Sequence, residues 1–117
     1  MAIEWKAEKD DLLVFRVSGK LAISELEQAQ LETDPVLTAR KNWKVMVVLQ
    51  NFAGWSKEAG WEKTSLIDET DENVDRMALV GPIEWRDQVE MFTLKGLRPL
   101  EIEYFTAEDE ARAWLGV

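Results

Sequence analysis

Five apolar residues in succession, Val45-Met46-Val47-Val48-Leu49, constrain this chain more than any other feature. A strand with one wet face alternates apolar and polar residues. A run with no polar member needs cover on both faces, which places it in the middle of a sheet. Residues 76–81, Arg-Met-Ala-Leu-Val-Gly, read as a second buried strand, and Leu100 to Phe105 as the last strand. Residues 2–8 alternate instead, with Ile3, Trp5 and Ala7 on one side and Glu4, Lys6 and Glu8 on the other. That pattern is a half-buried strand at a sheet edge. Residues 12–18 follow, with Leu13, Phe15 and Val17 on one face. The polar step Lys9-Asp10-Asp11 between these two predicts an antiparallel hairpin.

Helices fill the intervals. Ser24 followed by Glu27 reads as a capping box opening a helix that carries Leu26, Ala29 and Leu37. Pro35 either kinks that helix or starts a second one capped by Asp34. Arg40, Lys41 and Lys44 fall near its carboxyl end, where positive charge complements the dipole. Asn51 to Trp55 reads as a loop, with Ser56 as the N-cap of a helix over about 56–70 closed by the acidic run Asp68 to Asn73. Gly81-Pro82 turns into a helix over about 83–95 that ends at Gly96, with Trp85, Val89 and Phe92 as its core stripe. Thr106 caps a last helix with Ala107, Ala111, Trp114 and Leu115 on one face, ended by Gly116. The order β-β-α-β-α-β-α-β-α predicts an α/β fold: a mixed, mostly parallel five-stranded sheet with right-handed crossovers. The 117 residues fit one domain spanning 1–117.

Composition narrows the chemistry. The chain has no histidine and no cysteine. It therefore lacks a thiol nucleophile, an imidazole base and any zinc or iron–sulfur site built on those ligands. With 14 basic and 23 acidic residues its formal charge is −9, the wrong sign for a phosphate-backbone binder. Glu58 and Glu62 have carboxylate-pair spacing, but Lys57 and Lys63 beside them make a solvated, ion-paired face. The run Asp68 to Asp75 offers oxygen ligands without the glycine and distal glutamate of an EF-hand loop. The sequence thus predicts no enzyme, no cofactor, no metal and no nucleic-acid partner. It contains no apolar run long enough to span a membrane and no signal-peptide pattern, so a cytoplasmic protein is expected.

Six tryptophans are the remaining oddity. On a helical wheel from Ser56, Trp55, Ala59, Leu66 and Ile67 share an apolar sector, and Trp61 falls nearly opposite. Trp61 then either packs on a neighbouring helix or lines a cleft. Trp55 and Trp85 each follow a buried strand at its carboxyl end, the edge where open α/β sheets collect ligands. Phe52, Trp55, Trp61 and Trp85 are therefore the candidate ligand-binding residues, an aromatic wall for a small apolar molecule. The alternative is that each ring only fills core. Trp5 and Trp114 read as structural.

Several stretches carry a resemblance in order and spacing: Phe15-Arg16-Val17-Ser18-Gly19-Lys20, Asn51-Phe52-Ala53-Gly54-Trp55, Ala59-Gly60-Trp61-Glu62, Asp75 to Gly81, Glu84-Trp85, and Phe105 to Leu115. Together they resemble the SpoIIAA-like family of small bacterial proteins with the STAS fold. The resemblance implies a kinship with anti-sigma-factor antagonists and with Sec14/CRAL-TRIO-type lipid-binding domains. It implies either a module that binds an apolar or lipid-like ligand or a regulatory protein-interaction module, as a monomer or a homodimer. In the antagonists a kinase phosphorylates a serine where Ser56 stands here. Their Asp-Ser step is Trp55-Ser56 in this chain, and the residues themselves read Ser56 as a helix cap.

Overall fold

The computed structural model describes residues 3–8, 11–57, 73–92 and 100–116, the side chain of Phe92 excepted. Five strands form one sheet in the order β1-β2-β3-β4-β5. They are β1 (Ile3–Glu8), β2 (Leu12–Leu21), β3 (Trp43–Trp55), β4 (Val74–Val80) and β5 (Glu101–Phe105). The first pair is antiparallel, with Trp5 opposite Phe15, as the short polar connection requires. The other three pairings are parallel. The mixed, mostly parallel sheet expected from the buried runs is therefore present, with β1 at its edge.

Strand alternation divides the interior into two cores. Leu13, Phe15, Val17, Val45, Val47, Met77, Leu79 and Ile102 face one side, under α1 (Ile23–Thr38) and Val89 of α2 (Arg86–Phe92). Leu12, Val14, Met46, Val48, Ala78 and Val80 face the other, under Ala111 and Leu115 of α3 (Glu108–Leu115). Val45 to Val48 are all at most 5% exposed, which is why that run tolerates no polar residue. An ionic chain fastens α3 to the hairpin. Arg16 meets Glu108 at 3.1 Å, Glu108 meets Arg112 at 3.1 Å, and Arg112 reaches Glu8 at 3.0 Å. At its other end the Arg76 guanidinium donates to the Trp114 carbonyl at 2.7 Å and lies over the Trp114 ring. Gly116, at φ 80°, ends the helix as a left-handed C-cap, which glycine adopts without a Cβ clash.

Several helix boundaries differ from the sequence expectation. The N-cap of α1 is Ala22, with no side-chain cap bond, so Ser24 lies inside the first turn. The chain passes from Leu21 of β2 almost directly into α1, and the strand end sets the helix start ahead of the local capping signal. Pro35 sits within one continuous helix that runs on to Thr38. No basic residue falls in its last turn. Arg40 instead stacks over Trp43, Lys44 pairs with Asp11 at 2.9 Å, and the Asn73 amide donates to the carbonyls of Leu37 and Arg40. The Asn73 amide thereby satisfies the Leu37 carbonyl, one that the helix end leaves without a partner, and ties down the Arg40 carbonyl just beyond it. Thr106 is likewise no cap, since Ala107 holds that position for α3. The stretch after Pro82 begins as a 3-10 turn, Ile83–Trp85, before α2. The Lys9-Asp10 part of the hairpin turn, most of the expected 56–70 helix, the acidic run up to Glu72 and the Gly96 stop lie outside the described residues.

Candidate functional site

The sheet is uneven at its carboxyl edge. The last β3–β4 pair is Val48 with Val80, yet β3 continues to Trp55. There, among the described residues, it pairs only with the end of β2: Gly19 with Phe52, Lys20 with Gly54, Leu21 with Trp55. Between Val17/Leu49 and Leu21/Trp55 the β3 side advances six residues while β2 advances four. The two extra residues are bulges, which bend a strand and re-aim its side chains. Asn51 at φ 53° and Gly54 at φ 104° supply the positive φ angles that this bend needs.

The segment 51–55 is thus a bulged strand and not the loop its composition suggested. Its asparagine and glycine are turn formers used here to curl a ribbon. The consequence is specific. Phe52 and Trp55 are three residues apart and would point to opposite faces of a regular strand. The bulges bring both onto the α1 side of the sheet, packed against its core. Trp85 joins them from the 3-10 turn. The three ring pairs have centroids 5.0–6.1 Å apart in edge-to-face geometry. Gly54 admits this arrangement through its φ of 104°, which side-chain-bearing residues rarely adopt; the Trp85 ring lies 3.4 Å from where a Cβ would stand, an ordinary contact.

Beneath the rings lies an apolar cavity of about 30 Å³. Phe52 and Trp55 line it together with Val47, Leu49, Leu79 and Val89 from the sheet and α2, and with Ile3, Val17, Leu21 and Leu26. Of the four aromatic residues expected to form a wall, the structure brings Phe52, Trp55 and Trp85 together. Trp61 lies outside the described residues. Trp114 sits on the opposite face, against Phe105 at 5.6 Å, and Trp5 donates from its indole to Glu32 at 2.8 Å. Ser56 follows the end of β3 directly, and its amide donates to the Leu21 carbonyl at 2.8 Å.

Such an arrangement sets an aromatic ribbon at the carboxyl edge of a mostly parallel sheet. The sequence pattern of the SpoIIAA-like family matches residues 12–116, nearly the whole chain. The chain belongs to the SpoIIAA-like family. A crystal structure of an uncharacterized protein of the DUF3478 family from Shewanella loihica PV-4, with a SpoIIAA-like fold, superposes with a TM-score of 0.74. It is 23% identical, over 97% of this chain and 92% of that one, a likeness that concerns the fold alone. Among curated proteins, none matches this chain in sequence.

Beside this candidate site, sequence reasoning missed Tyr104 and read Gly81 only as a turn residue. The Tyr104 hydroxyl donates to the Pro82 carbonyl at 2.7 Å, at the turn that delivers Trp85. Burial, and then the nearby carboxylates of Glu90 and Glu84, push its pKa from the ordinary 10.0 up to about 12. Tyr104 is the one tyrosine in the chain, so its phenolate absorbance has no competing source. A spectrophotometric titration is expected to show a midpoint near 12 in the folded protein and near 10 in denaturant. A folded-state pKa above the unfolded one means that this stability is fully present below pH 10 and is lost as pH rises toward 12. A midpoint near 10 in the folded protein would place the hydroxyl in water.

Proposed function

We propose that this chain is a non-catalytic binding module for a small apolar or lipid-like molecule, held at the Phe52–Trp55–Trp85 cluster. The observation that carries this reading is the wholly apolar lining of the cavity beneath the rings, at the carboxyl edge of a mostly parallel sheet. Ligand pockets usually enclose several hundred Å³. A ligand here rests one alkyl or aryl end in the small cavity and lies outward along the half-buried rings of Phe52, Trp55 and Trp85. Trp61 is proposed as a further wall residue. The absence of histidine and cysteine supports binding over turnover.

The test pairs affinity with stability. Trp55→Ala and Trp85→Ala are expected to weaken binding of an environment-sensitive dye or a medium-chain fatty acid by at least about fivefold, in line with about 1 kcal/mol of lost apolar contact. Trp114→Ala, on the opposite face, is expected to leave that affinity unchanged. Equal losses for all three variants, or no saturable binding by the unaltered protein, would remove the reading.

A further inference from the structure

The outer edge of β1 carries a charge pattern that matches its own reverse. Glu4 and Lys6 are both exposed, both on the α3 side of the sheet, and neither forms an ion pair with another described residue. Trp5 lies between them on the opposite face, half-buried. Among the described residues, β1 pairs only with β2, so its other side offers a free row of backbone donors and acceptors. On the α3 side of the sheet an open groove of about 220 Å³ lies over the β1–β2 pair, where Glu4 and Lys6 stand opposite Arg16 and Val14, so this face of the edge strand is not covered by another described element.

We infer that this edge is the docking surface for a second copy of the chain, which adds its own β1 antiparallel to form a continuous two-fold sheet. Symmetry limits the registers. A two-fold axis perpendicular to the sheet keeps each face on its own side, so paired residue numbers must have an even sum. A register that sets Lys6 against Lys6 of the other copy places like charges opposite one another. So does one that sets Glu4 against Glu4. Both are disfavoured. Setting Trp5 against its own copy puts Glu4 opposite Lys6 twice, by symmetry, and Ile3 opposite Ala7. This is the longest register over residues 3–8 in which opposite charges meet. Lys on a strand edge ordinarily discourages pairing. Here Glu4 two residues away turns that barrier into a selector for one register and one partner. The attraction must also act against the general repulsion of two chains of charge −9, which favours a weak, reversible dimer over a permanent one.

Sedimentation equilibrium of the full chain tests this. The unaltered protein is expected to show a concentration-dependent monomer–dimer equilibrium. Glu4→Lys and Lys6→Glu singly are each expected to weaken it about tenfold or more, since each turns two attractive cross-strand pairs repulsive. The double swap should restore association, because it recreates the same pairs in reverse. Lys6→Gln removes the attraction without adding repulsion and should fall between. Lys41→Glu changes net charge as Lys6→Glu does, at an exposed position away from β1, and should leave association as it is. Circular dichroism checks that each variant keeps its fold. A protein that stays monomeric throughout would overturn the inference. So would a dimer indifferent to the single reversals, or a double swap that fails to restore it.

Discussion

Phe15→Ala is expected to lower stability by about 3–5 kcal/mol, a large share of the roughly 5–15 kcal/mol that holds a small domain together. Phe15 is the largest of the fully buried side chains, at 0% exposure. It stands opposite Trp5 on β1 and Val47 on β3, in the core under α1. Truncation removes apolar contact with both neighbouring strands, and well-paired strands cannot close the gap without breaking register. The measurement is the urea midpoint at unchanged slope. Arg16→Ala, one residue along and on the opposite face, is the comparison. Its side chain is 36% exposed and its pair with Glu108 is a surface interaction, so a change of at most about 1 kcal/mol is expected. A loss below about 1 kcal/mol for Phe15→Ala would contradict the assignment of that face to the core.

That contrast shows what the sequence made legible. Alternation in β1 and the unbroken run in β3 report burial directly, because a side chain's face follows from its parity along the strand, whereas β2, read as having one apolar face, also buries Leu12 and Val14 on the other. The sheet, its edge strand and its two cores were therefore readable. Helix caps were not. Ser24 and Thr106 have the right chemistry for caps, but the strands before them fix where each helix begins. At the candidate site the residue types were readable and their convergence was not. Phe52 and Trp55 share a face only because one bulge falls between them and a second precedes Phe52, and Asn51 and Gly54 look like loop residues without the pairing to β2 beside them. Tyr104 gave no signal at all, since its role arises from a parallel neighbour far away in sequence.

Gly81→Ala carries the second large effect. Gly81-Pro82 reads in the sequence as a turn, which explains a glycine by backbone freedom. The structure gives a different reason. A Cβ at this position would lie 2.8 Å from the Tyr104 hydroxyl oxygen and 2.9 Å from Leu49 Cδ1, both too close for van der Waals contact. The alanine variant is expected to lose about 1–3 kcal/mol, the usual cost of overpacking a close-packed site. Two groups must give way, and they can be separated. Tyr104→Phe removes the clashing oxygen together with its bond to the Pro82 carbonyl, worth about 1 kcal/mol. Combined with Gly81→Ala it should cost less than the sum of the two single changes, because the oxygen is no longer there to be displaced. Relief should be partial, since Leu49 Cδ1 and Cβ, at 2.9 and 3.1 Å, still oppose the new methyl group. Leu49 lines the apolar cavity, so its displacement should also weaken dye binding in both alanine-containing variants. Strict additivity in the double-mutant cycle would mean that the Tyr104 hydroxyl does not meet the new methyl group. Unchanged dye affinity would separate Leu49 from the site at the aromatic ribbon.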